Sequence, residues 1–192
     1  MKRIAFFISG TGGNALNLLR ACRDGCVPAD PALAISSSSK ALGVERLRSE
    51  RLPVDIILRS AFDDDEAFST ACFASVEAAK IDVICLCGWL KRLVIPSSWE
   101  GRILNIHPSL LPQFGGSGMY GMHVHRAVLD AGESISGCTV HLVDNQFDHG
   151  RILAQAQVPV MPDDSPEGLQ KRIYEQEMRI YPQALADYLV QA

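Results

Sequence analysis

Apolar residues along this chain follow two patterns that alternate. Short continuous runs such as Ile4-Ala5-Phe6-Phe7-Ile8 and Val83-Ile84-Cys85-Leu86-Cys87 read as strands covered on both faces. Between such runs the apolar positions recur with the helical period, as at Ala15, Leu16, Leu18, Leu19 and Cys22. Strands are therefore predicted near residues 2–8, 32–36, 54–58, 82–87 and 103–107. Helices are predicted near 15–24, 42–51 and 63–80, with a short helical turn at 97–99. Asp63, Asp64, Asp65 and Glu66 open the third helix, where negative charge complements the helix dipole. Strand–helix alternation of this kind predicts an α/β fold: a doubly wound, mostly parallel, Rossmann-like sheet with right-handed crossovers and helices on both faces.

The second half is more varied. Residues 114–121 carry four glycines and fit no regular element, so a mobile loop is expected. His123-Val124-His125 opens a helix reaching about residue 131. Residues 138–143 alternate like a half-buried strand, with Thr139 and His141 on the face opposite Cys138 and Val140. A last strand is predicted at 152–160. Ser165-Pro166-Glu167 then starts a helix that runs to about 180, where Pro182 should kink or restart it. The 192 residues fit a single domain, 1–192, without repeats or linkers.

Composition narrows the function. With 47% hydrophobic residues the chain can build a sizeable core, yet no run approaches the roughly 20 apolar residues of a membrane span. The first apolar run is cut by Ser9-Gly10-Thr11-Gly12-Gly13 too early for a signal peptide. The six cysteines are scattered, which fits reduced thiols in the cytoplasm. A net charge of −4 argues against broad nucleic-acid binding, so an anionic ligand needs a local site.

One such site follows the first strand. A glycine turn between strand and helix lets backbone amides approach a phosphate at a helix N-terminus. Gly10-Thr11-Gly12-Gly13-Asn14-Ala15 also fits the relaxed dinucleotide fingerprint. The second strand, however, ends in Ser37-Ser38-Ser39-Lys40 and offers no acid for a ribose; serines and a lysine suit a 2′-phosphate better. Asn105 and His107, two apart at a strand end, project to one face. A carboxamide beside an imidazole can hold a carbonyl oxygen as it becomes negative. Asp148, two residues before Gly150 in a loop, is either a turn residue or a carboxylate that orients an imidazole and raises its pKa. Cys85 with Cys87, or His123 with His125, lacks the spacing and further ligands of a metal site.

Together, residues 8–14, the segment Asn105-Ile106-His107-Pro108-Ser109-Leu110-Leu111-Pro112, Val140-His141-Leu142-Val143, Phe147-Asp148-His149-Gly150 and Ile180-Tyr181-Pro182 resemble the glycinamide ribonucleotide formyltransferase family of purine biosynthesis, over nearly the whole length. The resemblance implies transfer of a formyl group from 10-formyltetrahydrofolate to the amine of glycinamide ribonucleotide, without a metal. It implies small-molecule partners only and a monomer or homodimer, with phosphate-binding units in the N-terminal half and folate-binding and catalytic loops in the C-terminal half. It assigns catalysis to Asn105, His107 and Asp148. It assigns the phosphate to Thr11, Gly12, Gly13 and Asn14, and the ribose to Glu177. Folate contacts fall on Leu90, Lys91, Arg92, Leu93, Asn105, Val143, Asp144 and Asp148. Three features depart from the family pattern: a longer, glycine-rich segment 113–122, Asp65 where relatives often place a basic residue, and Met178 where they often show His. A formyltetrahydrofolate hydrolase, or a formyltransferase acting on another amino sugar, could use the same three residues. An NADP-binding oxidoreductase or sensor built on the glycine turn is the reading from a different class.

Overall fold

The computed structural model describes residues 1–191. The elements run β1 (Lys2–Ile8), α1 (Gly13–Arg23), β2 (Ala29–Ser36), α2 (Leu42–Ser49), β3 (Val54–Ile56), α3 (Asp65–Ala78), β4 (Val83–Leu86), β5 (Ile103–His107), α4 (Met122–Asp130), β6 (Ile135–Leu142), β7 (Ile152–Pro159) and α5 (Pro166–Gln191). Seven strands form one sheet in the order β3-β2-β1-β4-β5-β6-β7. The pairs from β3 through β5 are parallel, whereas β6 runs antiparallel to both of its neighbours. Strand order reverses between β1 and β4, which opens a crevice at their carboxyl ends.

Alternation along β1 divides the core. Ile4, Phe6 and Ile8 pack with apolar residues of α1, α2 and α5. Ala5 and Phe7 face the other way, toward Phe68, Cys72, Phe73 and Val76 of α3. The acidic run caps α3 as expected: Asp64 Oδ1 accepts from the Ala67 amide at 2.8 Å. Asp65 is engaged separately, accepting from Arg59 Nε at 2.6 Å. All six cysteines are free thiols, and among the described residues no helix is long and apolar enough to cross a membrane.

The sequence-based boundaries shift at a few places, each for a local reason. The first helix begins at Gly13 rather than Ala15, because Gly12 takes a left-handed conformation (φ 70°) and turns the chain directly into it. Strand β6 starts at Ile135, three residues early, through Gly137; a Cβ there would overlap the Ala156 carbonyl of β7, so glycine lets the strands close. The last helix neither restarts nor stops at Pro182 but continues to Gln191. Proline has no N–H for the Met178 carbonyl four residues back. Asn17 Nδ2, from α1, donates to that oxygen at 2.7 Å and replaces the missing helical bond.

Candidate active site

A cavity of about 440 Å³ opens at the carboxyl ends of β1, β4 and β5, and its wall includes Thr11, Asn14, Asn105, His107, Asp148 and Glu177. The glycine turn and the Asn105/His107 pair therefore face one cleft, as the alternation of strands and helices predicts.

Register explains how the polar groups meet. Antiparallel pairing sets Asn105 opposite His141 and His107 opposite Thr139. His141 Nδ1 lies 2.8 Å from the Leu142 carbonyl, so that nitrogen carries the hydrogen. Its Nε2 then accepts from Asn105 Nδ2 at 3.1 Å, which leaves the second amide hydrogen of Asn105 for a ligand. Thr139 Oγ1 donates to the Ser109 carbonyl at 2.7 Å and accepts from the Leu111 amide at 3.0 Å, pinning the chain as it leaves β5.

His107 is 4% exposed and held on both sides. Nε2 lies 2.8 Å from the Phe114 carbonyl, and Nδ1 lies 3.4 Å from Asp148 Oδ2. The other carboxylate oxygen of Asp148 is 3.6 Å from His141 Nε2. Asp148 adopts a left-handed φ of 52° and accepts from the Gly116 amide at 3.0 Å, so the glycine-rich loop is tied to the carboxylate. Asp148 raises the His107 pKa, as expected, but it does not set the net direction. Burial dominates and pulls the imidazole below its ordinary value; the Asp148 carboxylate and the Phe114 carbonyl oppose that pull without overcoming it. Asp148 itself sits below the usual carboxylate range: burial raises it, but the neighbouring His141 and His107 rings and the Gly116 amide outweigh burial.

Leu90, Lys91, Arg92 and Leu93 line one side of the cavity, with Val143 and Asp144 beside them. Asn145 joins the two loops: its Oδ1 accepts from the Ile95 amide at 2.8 Å and its Nδ2 donates to the Ile95 carbonyl at 3.1 Å. Asp144 accepts from His149 Nδ1 and from the Gln146 amide, both at 2.8 Å, which shapes the loop tip. At the opposite end Asn14 Nδ2 donates to Glu177 Oε2 at 2.8 Å. Burial pushes the Glu177 carboxyl up to about 7, against the lowering effect of that bond. Thr11 and Asn14 line the cavity; Gly12 packs behind them against Gly43 of α2, and Gly13 lies under Tyr174.

Several lining groups were not singled out as site residues from sequence. His141 was legible as sharing a strand face with Thr139, but its bond to Asn105 depends on register. The Phe114 carbonyl and Gly116 amide are backbone groups with no sequence signature. Gln170 and Tyr174 precede Glu177 by seven and three positions, which places them on its helix face. His125 lines the cavity with an unpartnered, buried Nδ1, and burial lowers its pKa to about 4. His123, by contrast, is exposed, and the described residues contain no group of three or more His, Cys, Asp or Glu placed to hold a metal.

Fold and cleft together define a class, a Rossmann-like α/β protein whose switch-point crevice is walled by imidazole, carboxamide and carboxylate groups. Residues 2–185 match the family described as formyl transferase, and the chain belongs to that family. The trifunctional purine biosynthetic protein adenosine-3 of Drosophila melanogaster is 41% identical over 189 residues, covering 96% of this chain but only 14% of that larger protein. The phosphoribosylglycinamide formyltransferase of Haemophilus influenzae is 37% identical, with 95% of this chain and 84% of that protein covered. Among solved structures, glycinamide ribonucleotide transformylase 1 of Symbiobacterium toebii superposes with a TM-score of 0.91 at 38% identity, covering 97% of this chain and 86% of that one.

Proposed function

We infer that this chain transfers the formyl group of 10-formyltetrahydrofolate to the amine of glycinamide ribonucleotide, in the cytoplasm, as a step of purine biosynthesis. The observation that carries the reading is the convergence of Asn105, His107 and Asp148 in the cleft that also holds Asn14 and Glu177. Membership of the formyl transferase family, and relatives named for this reaction, support it.

The chemistry needs only groups already in place. The amine attacks the formyl carbon, and the carbonyl oxygen becomes an oxyanion. The free amide hydrogen of Asn105 and an N–H of His107 receive that charge. A charged oxyanion outcompetes the neutral Phe114 carbonyl for His107 Nε2–H. Removing one such donor typically costs about 100- to 1000-fold in rate. Collapse of the intermediate expels the folate nitrogen, which takes a proton from His107, and the proton released by the attacking amine restores the imidazolium. Asp148 holds the ring through Nδ1 and favours its protonated form. The loops around Leu90–Leu93 and Val143–Asp144 flank the folate, while Thr11, Gly12, Gly13 and Asn14 take the phosphate and Glu177 the ribose. Anchoring the phosphate at the far end of the cleft orients the amine at the formyl carbon.

The test is an absorbance assay with 10-formyltetrahydrofolate, with and without glycinamide ribonucleotide. Turnover that requires the ribonucleotide is the expected result. Equal turnover in its absence would replace transfer by hydrolysis.

A further inference from the structure

The serine run after β2, which from sequence suits a 2′-phosphate, is engaged within the protein instead. Ser36 and Ser37 are buried, and the Ser36 hydroxyl donates to the Ser38 carbonyl at 2.8 Å. The Ser38 hydroxyl oxygen accepts from the Lys40 amide at 3.2 Å. The Ser37 amide donates to the Ile8 carbonyl of β1 at 3.1 Å, and the Ser37 hydroxyl lies 2.7 Å from the hydroxyl of Ser9. Ser37 is thus bound to the end of β1 through both its main chain and its side chain.

Ser9 in turn grips the chain that leaves β4. Its amide donates to the Gly88 carbonyl at 3.2 Å, and its hydroxyl oxygen accepts from the Leu90 amide at 3.0 Å. Gly88, with a φ of 76°, turns the chain out of the line of β4, and beyond it a side-chain oxygen takes the place of a backbone acceptor. The two Ser9 bonds bracket Trp89. The indole stacks on Phe68, with centroids 5.9 Å apart and 7° between planes, and tilts against Phe7 at 4.9 Å. Trp89 and Leu90 both line the cavity, whereas Ser9 and Ser37 stand behind them. A hydroxyl has two lone pairs and one hydrogen. The Leu90 amide takes one lone pair of Ser9, and the Ser37 hydroxyl fixes the rotor from the other side.

We propose that Ser9, backed by Ser37, is a positioning residue for the formyl donor: although it opens the glycine turn, it sets the Trp89–Leu90 wall, and its loss weakens the folate and not the ribonucleotide. The proposal rests on the functional reading above, in which the loop around Leu90–Leu93 flanks the folate. Leu90 is 55% exposed, so without the hydroxyl its amide bonds to water. The segment then opens locally while the fold stays intact.

The test compares wild type with Ser9→Ala, Ser37→Ala and Ser9→Thr. Hydrogen exchange read by mass spectrometry follows the peptide spanning Trp89 to Leu93. Binding of a stable formyl dideazafolate is titrated by tryptophan fluorescence, and steady-state constants are measured for both substrates. Loss of one neutral hydrogen bond predicts roughly a 3- to 10-fold loss of dideazafolate affinity in Ser9→Ala, with a matching rise in KM for the folate. The kcat and the KM for the ribonucleotide should stay within about twofold, as expected for loss of uniform binding to one substrate. Exchange across Trp89–Leu93 should quicken. Ser37→Ala leaves the Leu90 acceptor in place and should lose less, and Ser9→Thr keeps the hydroxyl and should stay close to wild type. Dideazafolate affinity within about twofold of wild type in Ser9→Ala would overturn the proposal. So would an equal or larger rise in KM for the ribonucleotide, or a lowered Tm with unchanged exchange across Trp89–Leu93. If exchange and dideazafolate affinity change as expected but wild type transfers no formyl group to glycinamide ribonucleotide, the functional reading fails and the positioning role stands.

Discussion

The contact between Gly13 and Tyr174 can be tested without any ligand, through Gly13→Ala. Gly13 is the first residue of α1 and does not have a positive φ, so alanine fits its backbone. Replacing a helical glycine with alanine would by itself stabilise by up to about 0.5–1 kcal/mol. The new Cβ overlaps Tyr174 Oη, however, and overpacking of this kind costs typically about 1–3 kcal/mol. The expected net effect is destabilisation of about 1–2 kcal/mol. In a Tyr174→Phe background Oη is gone and the nearest ring atom, Cζ, lies at 3.1 Å, a distance relieved by a shift of a few tenths of an ångström. The double variant should then exceed the sum of the single effects by about 1–2 kcal/mol, whereas independent sites add within about 0.3–0.5 kcal/mol. For a chain of 192 residues that coupling is worth roughly 2–8 °C in Tm. Urea unfolding of the four proteins, followed by circular dichroism, measures it. Additive single effects would refute the placement of the phenol over the turn.

Four further outcomes follow from the geometry. Asp148→Asn removes a group that raises the His107 pKa, so the limb of the pH–rate profile that reports His107 should move toward acid and the maximal rate should fall; an unmoved limb would remove Asp148 from that role. Asn17→Ala leaves the part-buried Met178 carbonyl without a donor, and an unsatisfied acceptor costs about 1–3 kcal/mol, or roughly 2–12 °C in Tm by thermal melting. For His125 the folded pKa of about 4 lies below the ordinary imidazole value of 6.5, so on acidification the unfolded chain takes up a proton first. Stability should therefore drop between about pH 6.5 and 4, and His125→Gln should flatten that part of the Tm–pH curve. Glu177, raised to about 7 from 4.5, acts in the opposite sense, gaining its proton first in the folded state as pH falls through 7, so Glu177→Gln should steepen the same curve.

Much of the scaffold was legible because local pattern and global fold agree. Continuous apolar runs marked β1 and β4, the glycine turn marked the β1–α1 junction, and the alternation between them implied the parallel sheet and a cleft at the strand ends. What escaped prediction depends on contacts far apart in sequence. Pro182 reads as a breaker until Asn17, more than 160 positions away, is seen to supply the missing donor. His107 reads as an imidazole governed by its carboxylate partner until its burial is known, since burial reverses the net shift. Segment 113–122 reads as a loose loop, yet its Phe114 carbonyl and Gly116 amide are bound to His107 and Asp148. Asp65, a departure from the family pattern, is already paired with Arg59, so the acidic side chain is neutralised by a neighbour.

Asn145 has a consequence for how the cleft meets its ligand. By offering Ile95 both a donor and an acceptor, one carboxamide does for two loops what a neighbouring strand does for an edge. The loop after β4 and the loop after β6 are thus one mechanical piece, although Ile95 and Asn145 stand 50 positions apart in the chain. A ligand lying between them encounters a slot whose width is already set. The loss of loop freedom has then occurred at folding rather than at each binding event, so more of the contact energy is expressed as affinity. Where that slot is rigid, discrimination between ligands falls to the groups at its rim, and the exposed side chains of Leu90, Lys91, Arg92 and Phe147 stand there.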